Sequence, residues 1–245
     1  MTARAALRHL VIAIQFMTRM PMPRLADVTN GEFAASMRWF PAAGLVVGVI
    51  VADLAWLGTM LDPWIGAAAG VIAWAWISGG LHLDGLADLA DARGAAHGDR
   101  DRFLAVLADP HIGSWGVIAI VLQLMAKLVL LHAVILAGWL WPVVVIAAAA
   151  RIGPLWWSRS VPMLGDGLAA RFAGVVRPWH ILLWLALLAV ACIKAPALAV
   201  APVLILLWSW WLKHRIGGAN GDCYGAGIEL VETGLLIALL VGDRL

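Results

Sequence analysis

The sequence predicts an all-α fold, a polytopic bundle of helices embedded in a membrane. Of its 245 residues, 63% are hydrophobic and only 13% are charged, whereas a soluble domain usually carries about 25% charged residues. Runs such as 39–60 and 195–212 hold one charge or none over a length that crosses a bilayer. Basic residues collect on one side of the resulting map. We therefore treat residues 1–245 as a single membrane-embedded domain.

Seven apolar stretches have the length expected of membrane-spanning helices. They lie at 39–60, 62–81, 113–137, 139–157, 179–193, 195–212 and 226–242. The stretch from Ala5 to Met20 is shorter and is interrupted by Arg8, His9 and Arg19. It is predicted to be an interfacial or re-entrant helix, with an eighth span as the alternative. We expect about seven transmembrane helices and one N-terminal helix of this different kind.

The distribution of basic residues tests this map, because short cytoplasmic loops collect Lys and Arg. Twelve of the 17 basic residues fall on one side. They are Arg19, Arg24, Arg38, Arg93, Arg100, Arg102, Arg151, Arg159, Arg171, Arg177, Lys213 and Arg215. The same side receives the acidic segment 79–112, the loop 151–178 and the Gly-rich loop 213–227. We expect these three segments to form one site that faces the cytoplasm.

Composition disfavours nucleic acid as a partner. The net charge is only +2, and no clustered basic stripe with interleaved aromatic residues is present. Cys192 and Cys223 form no CxxC pair and have no metal-ligand spacing, so they are predicted to be free thiols. Membrane lipid is the one partner that the composition itself requires.

Six of the fifteen acidic residues fall within one 26-residue window, namely Asp84, Asp88, Asp91, Asp99, Asp101 and Asp109. If 82–92 is helical, the spacing of the first three puts them on one face. Neighbours at this spacing lie about 5 to 6 Å apart. At an effective dielectric constant near 20, each pair repels by roughly 3 kcal/mol. Partial protonation, or arginine partners such as Arg93 and Arg102, would offset this repulsion. A divalent cation with oxygen ligands is the most economical solution, and the pattern predicts catalysis at a Mg²⁺ site on Asp84, Asp88 and Asp91.

The alternative interpretation is a solvated helix end, where Asp84 caps the helix or complements its dipole. A solvated face normally mixes charges of both signs, whereas no Lys or Arg lies between Arg38 and Arg93. This favours the metal site. For Asp99 and Asp101, which alternate with arginines, the solvated-loop interpretation is preferred.

Four further candidates flank the acidic helix. His82 and Asp109 are candidate catalytic residues, and Arg93 and His111 are candidate phosphate contacts. Asp109 precedes a turn of small residues that would return its carboxylate to the cluster. Packing in the membrane or exposure to headgroups and cytoplasm is the alternative for His82, Arg93 and His111.

The Gly-rich loop that follows Arg215 holds five glycines and one acid before the last apolar stretch. Backbone without a Cβ can approach a phosphate closely. Gly217, Gly218, Gly221 and Asp222 are therefore candidate substrate contacts. The pattern is neither a P-loop nor a dinucleotide fingerprint, so it indicates no particular nucleotide fold.

Together these motifs resemble one known family. The motifs are GGLHLDGLADLADA (79–92), DPHIGSWG (109–116) and GGANGDCYGA (217–226), preceded by FMTRMPMP (16–23) and RWFPAAGLVVG (38–48). The set is similar to the adenosylcobinamide-GDP ribazoletransferase family, also called cobalamin synthase, over nearly the whole chain. The resemblance places the family's site residues on His82, Asp84, Asp88, Asp91, Asp109 and Asp222. The chain departs from the family's usual residues at Ala92, Ala105 and Pro110-His111.

This resemblance implies a Mg²⁺-dependent phosphotransferase with several spans in the bacterial cytoplasmic (inner) membrane. Such an enzyme joins α-ribazole, or its 5′-phosphate, to adenosylcobinamide-GDP and releases GMP. The product is adenosylcobalamin or its 5′-phosphate, in a late step of cobalamin biosynthesis. The two substrates and lipid are the implied partners, with other corrinoid-pathway enzymes or a second copy of the chain as further candidates.

Two other functions are alternatives at this point. Another Mg²⁺-dependent membrane transferase, of the CDP-alcohol phosphotransferase type, would also use aspartates, but Ala87-Asp88 stands where that family shows Ala-Arg. A solute or ion transporter would explain Lys127, Glu229 and Glu232 within apolar stretches. It predicts paired repeats, which the sequence lacks. With either function, these three charges are expected to face the bundle interior, because a lone charge toward lipid costs about 2 kcal/mol or more.

Overall fold

The computed structural model describes residues 2–165, 167–172 and 174–242, without the side chain of Leu168. Within these residues the chain forms α-helices, short 3-10 and π turns, and a single isolated β-bridge. The α-helices are α1 (Ala3–Met17), α2 (Asn30–Ser36), α3 (Phe40–Thr59), α4 (Pro63–Ile77), α5 (Leu81–Ala96), α6 (Arg100–Leu107), α7 (Ser114–Leu136), α8 (Pro142–Ala150), α9 (Ile152–Ser160), α10 (Pro178–Cys192), α11 (Ala201–Trp211) and α12 (Gly221–Gly242). The predicted all-α class is confirmed.

Four helical segments of the described chain are long and apolar enough to cross a membrane: Asn30–Thr59, Ser114–Leu136, Pro196–Ile216 and Gly221–Gly242. A fifth candidate is the pair α4 and α5, which meet at 83°. The predicted span 139–157 is instead divided between α8 and α9 at Arg151, and 179–193 corresponds to the 15-residue helix α10. The chain is a polytopic membrane protein whose spans are less regular than seven unbroken helices.

The N-terminal helix buries one face only. In α1 the buried residues include His9, Ile12, Ala13 and Met17, and the helix packs against α2 and α3. It is not among the described helices that satisfy the length and apolarity needed to span. Its interfacial or re-entrant placement stays a prediction, and its last turn contributes to the site described below.

Two consecutive glycines form the bend between α4 and α5. Gly79 and Gly80 have φ values of 64° and 74°, in the left-handed region that glycine adopts most readily. The amide of Arg19 donates to the carbonyl of Ile77 (2.8 Å) and ties the N-terminal segment to the bend. The turn redirects the chain, so that α5 departs from the direction of α4 and packs against α7 and α12.

A buried ionic network joins α7, α12 and the α8–α9 junction. Lys127 Nζ lies 2.7 Å from Glu229 Oε2 and 2.6 Å from Glu232 Oε2, and Arg151 Nη1 lies 2.8 Å from Glu232 Oε1. All four side chains are at most 3% exposed. Two cations and two anions balance one another, as buried charges require. The inward orientation predicted for Lys127, Glu229 and Glu232 is confirmed.

Arg151 corrects the loop assignment made from charge distribution. The sequence map places it at the start of a cytoplasmic loop, but its side chain is wholly buried. Its guanidinium is stabilised there by the Glu232 carboxylate and by the carbonyl of Ala147, to which it donates at 2.6 Å. One of the twelve basic residues therefore belongs to the bundle interior.

Candidate active site

Helix α5 carries the acidic motif, and the helix predicted for 82–92 is confirmed. Along it, Asp84 is exposed, Asp88 is half-buried and Asp91 is buried. The charges of Asp84, Asp91 and Asp222 all act on the Asp88 carboxylate. The three aspartates predicted to lie along one helix are therefore close to one another, and Asp222 of α12 lies near them as a fourth carboxylate.

Backbone contact between α5 and α12 brings that fourth carboxylate to the stripe. A Cβ added at Gly85 would lie 2.8 Å from both the Cα and the carbonyl oxygen of Asp222, so only glycine permits this approach. Asn220 Nδ2 donates to Asp222 Oδ2 (2.7 Å), and Asn220 Oδ1 accepts from the amide of Cys223 (3.0 Å). The first turn of α12 thus holds Asp222 beside the exposed end of α5.

Asp91 is engaged by α7 instead. Its Oδ2 accepts from the amide of Gly113 (2.7 Å), and its Oδ1 accepts from the amide of Gly116 (2.9 Å). Gly113 is the N-cap of α7 and has no side chain to satisfy these amides, so a carboxylate from another helix does so. The metal role predicted for Asp91 stays a prediction, and a cation there would compete with two amides.

A cavity of about 360 Å³ opens beside Asp84. Its polar rim is formed by His82, Asp84, Asn220, Gly221 and Asp222, and its other walls are largely apolar. Residues of α1, α5, α9, α12 and the loop after α9 all contribute. The expected convergence of the acidic helix, the loop 151–178 and the Gly-rich loop is confirmed for the described residues.

Asp109 and His111 lie in a different cleft. His111 Nδ1 lies 2.6 Å from Asp109 Oδ1, and the His111 amide donates to the same oxygen (3.0 Å). These hydrogen bonds lower the pKa of Asp109. The pair shares its cleft with Asp91 and Trp115 rather than with Asp84. The catalytic role of Asp109 and the phosphate contact of His111 stay predictions, and the structure does not bring either residue to the cavity.

Arg93 lies in a third, basic cleft of about 360 Å³. Arg100, Arg215 and His97 line the same cleft. Arg100 Nη1 donates to the carbonyl of Ile216 (3.0 Å), which joins α6 to the Gly-rich loop. Sequence reasoning anticipated Arg93 but missed Arg100 and Arg215, because Arg215 is far along the chain from the other two and no local pattern shows that the three meet.

The glycines of the late loop have three different surroundings. Gly217 has a φ of 78° and lies against the guanidinium of Arg100, while Gly218 packs on Leu164 and the carbonyl of Pro162. Gly221 has open space where a Cβ would be and lies at the cavity rim. A phosphate could approach backbone most easily at Gly221, whereas Gly218 is needed for packing.

The donor chemistry of the site fits Mg²⁺ bound together with a phosphate. No three His, Cys, Asp or Glu side chains among the described residues are close enough, as placed, to hold a metal ion by themselves. Mg²⁺ is usually held by one or two carboxylates with waters and substrate phosphates. Asp84 and Asp222 offer such oxygens at the cavity, and the Asp88 carboxylate is close enough for their charges to act on it.

The chain is similar to proteins of one named activity over nearly all of its length. Residues 9–240 match the family model described as cobalamin-5-phosphate synthase. The chain is 53% identical, over 96% of its length and 97% of the relative's, to adenosylcobinamide-GDP ribazoletransferase of Novosphingobium aromaticivorans. Identity is 52% to the protein of that name from Thiobacillus denitrificans, over 94% of both chains, and 34% to that from Pseudomonas aeruginosa, over 96% and 99%.

No solved structure matches the chain. The match to the family model includes the acidic motif of α5, the turn into α7 and the first turns of α12. It therefore covers every residue that builds the rim of the cavity. The chain belongs to the cobalamin-5-phosphate synthase family.

Proposed function

We propose that this chain transfers ribazole to adenosylcobinamide-GDP, the reaction for which its relatives are named. The product is adenosylcobalamin, or its 5′-phosphate when the acceptor is ribazole 5′-phosphate, and GMP is released. One observation carries the proposal: Asp84 and Asp222 line one cavity, with the Asp88 carboxylate near both, within a chain of this family. The alternatives of a CDP-alcohol phosphotransferase and a transporter lose their support, because the family match spans 9–240.

The chemistry follows from the position of these carboxylates. The ribazole hydroxyl oxygen forms a bond to the phosphorus next to cobinamide, and the bond from that phosphorus to the bridging oxygen breaks, so that GMP leaves. Asp84, which faces the cavity, accepts the hydroxyl proton. Asp88 and Asp222 would hold Mg²⁺, with Asp84 beside them. When bound, the ion would supply positive charge that stabilises the diphosphate as it breaks.

The cleft at the C-terminal end of α5 offers basic partners for a phosphate of the donor. Arg93, Arg100 and Arg215 line one cleft, and guanidinium groups bind phosphate oxygens in a bidentate manner. We assign the phosphate of the leaving GMP to this cleft, with Arg93 nearest in sequence to the acidic motif, while the phosphorus under attack lies at the aspartates. His111 would contribute only if its loop moved toward the substrate.

We also propose that the site faces the cytoplasm from the inner membrane. The cleft that contains Arg93, Arg100 and Arg215 lies next to the acidic helix, and arginines concentrate on the cytoplasmic side of membrane proteins. GMP and the nucleotide-activated donor would then be exchanged with the cytoplasm. Association with other corrinoid-pathway enzymes or with a second copy stays a prediction.

Product formation by the purified chain tests the proposed function. The protein in lipid nanodiscs is given adenosylcobinamide-GDP, α-ribazole and Mg²⁺, and the corrinoid and GMP are measured by mass spectrometry. We expect equal amounts of both products, loss of turnover with EDTA and recovery with added Mg²⁺. The Novosphingobium aromaticivorans relative serves as a positive control. Turnover by that relative but none by this chain would overturn the proposal, and turnover that survives EDTA would overturn the Mg²⁺ requirement.

A further inference from the structure

The cavity beside Asp84 has an aromatic end. Four of the chain's five phenylalanines form one cluster, with ring centroids 5.1 to 6.3 Å apart. They are Phe16, Phe33, Phe40 and Phe172. Three of them, all but Phe33, line the cavity. They come from α1, α3 and the 3-10 turn Leu168–Phe172, so three separate segments build one aromatic wall.

A buried hydrogen-bonding group that has no partner among the described residues belongs to a residue that lines the same cavity. His82 is 3% exposed, and its Nε2 has no hydrogen-bond partner among the described residues. Its Nδ1 faces Arg151 Nη2 at 3.4 Å, and arginine can only donate. Nδ1 is therefore the acceptor, and Nε2 carries the hydrogen. Since buried N–H groups are costly to leave unpaired, His82 is a candidate donor to a ligand in this cavity.

The charges around the cavity argue against the donor substrate as its occupant. No Lys or Arg is among the described residues that line it, whereas Asp84 and Asp222 lie at its rim. The arginines lie in the separate cleft with Arg93. Guanine would leave several of its polar groups unpaired against phenylalanine rings, and a corrin ring is too large for about 360 Å³. An uncharged aromatic group joined to a sugar fits both ends of the cavity.

We propose that this cavity binds the acceptor, with the bicyclic aromatic base of ribazole against Phe16, Phe40 and Phe172. The ribose then lies at the rim, where its reacting hydroxyl meets Asp84, and His82 Nε2 donates to an acceptor atom of the ligand. The volume lies within the range of about 300 to 1,000 Å³ usual for small-molecule sites. This assignment rests on the proposed function and adds the place and orientation of one substrate.

The cluster provides a matched pair of variants. Phe172→Leu changes a ring that lines the cavity, and Phe33→Leu changes a ring of the same cluster that does not. We expect Phe172→Leu to raise KM for α-ribazole about tenfold without changing KM for adenosylcobinamide-GDP. Phe33→Leu should leave both KM values within twofold of the unmodified protein. Equal effects of the two variants on ribazole, or a change confined to the donor, would overturn the assignment.

His82 provides a second pair of variants, which differ in whether they can donate one hydrogen bond to the ligand. The amide of Gln can place a donor near the position of Nε2, whereas Leu cannot. By isothermal titration with α-ribazole alone, His82→Leu should weaken binding about tenfold and His82→Gln about threefold or less. Unchanged binding in His82→Leu would remove this residue from the acceptor site.

A third measurement uses the unmodified protein, so it does not depend on how variants fold. Ribosides of benzimidazole and imidazole are compared as acceptors, and the smaller ring should raise KM about tenfold because it leaves the aromatic wall uncovered. Equal KM values would contradict the cavity assignment while product formation upholds the proposed function. Absence of any product would instead count against the function itself, whatever binds in the cavity.

Discussion

Two parts of helix α5, around Asp84 and around Asp91, show how a single acidic motif can serve two purposes. At the start of α5, Asp84 is exposed and Asp88 is half-buried, and both lie close to Asp222. Less than one turn after Asp88, Asp91 is 8% exposed, and both of its carboxylate oxygens accept hydrogen bonds from amides at the start of α7. Sequence spacing alone makes the three aspartates equivalent. Their surroundings divide them into carboxylates available to a substrate and one that fixes a neighbouring helix.

The largest expected effect is a loss of turnover when the accessible carboxylates of α5 are changed. Asp84→Asn and Asp88→Asn should each reduce ribazole transfer about 100-fold or more, because each removes a proton acceptor or a ligand for Mg²⁺. Turnover is measured by mass spectrometry in nanodiscs, and thermal unfolding should change little. Asp101→Asn, which alters an exposed carboxylate of α6, is the control and should retain activity.

The contact between α5 and α12 should matter almost as much. Gly85→Ala places a methyl group where the backbone of Asp222 lies, so the two helices must separate. Small displacements of reacting groups cost up to about 100-fold in rate, and we expect a 10- to 100-fold loss of turnover. Gly31→Ala is the matched control, because it also adds a methyl group to a glycine in a helix but meets only Thr29 Oγ1, at 4.0 Å. Similar turnover in the two variants would mean that the approach of α12 to α5 is not needed.

At Asp91, whose carboxylate already accepts two hydrogen bonds, the expected effect is on stability. Asp91→Ala leaves the amides of Gly113 and Gly116 without their acceptor. Lost caps and hydrogen bonds to charged groups typically cost about 1 to 3 kcal/mol, so the free energy of unfolding should fall by about 2 kcal/mol. The thermal unfolding midpoint of the protein in detergent should be lower, while the fraction that stays folded should retain most of its turnover.

The smallest expected effect is at Asp109. Its carboxylate pairs with His111 in an exposed segment, in a cleft separate from the cavity. Asp109→Asn should therefore change turnover by about threefold or less, an amount typical of groups outside the reacting geometry. A loss as large as that of Asp84→Asn would restore the role that the sequence predicts for it and would show that its loop moves to the substrate.

Local features of this protein could be predicted from sequence because short-range physics determines them. Spacing predicted that Asp84 and Asp88 share a helix face, and the cost of charge in lipid predicted that Lys127 and Glu232 face inward. In each instance the responsible interaction lies within a few residues or depends only on the surrounding solvent.

Features set by distant partners could not be predicted in this way. The partners of Asp91 are backbone amides 22 and 25 residues away, which have no side-chain signature. Arg151 is buried because of Glu232, which is 81 residues away. The aromatic wall likewise unites segments that are far apart along the chain. Apolarity reveals that a segment is buried or in lipid, but not which segment it meets.

Asp222 provides the most direct test of the claim that the accessible carboxylates form the site. The sequence alone presents it as one contact in a Gly-rich loop, whereas the structure places it beside Asp84. Turnover per folded molecule is compared between Asp222→Asn and Asp91→Asn under saturating donor, acceptor and Mg²⁺. The account predicts that Asp222→Asn loses about 100-fold, as Asp84→Asn does, while Asp91→Asn stays within about fivefold of the unmodified protein. Full turnover in Asp222→Asn together with a 100-fold loss in Asp91→Asn would contradict it.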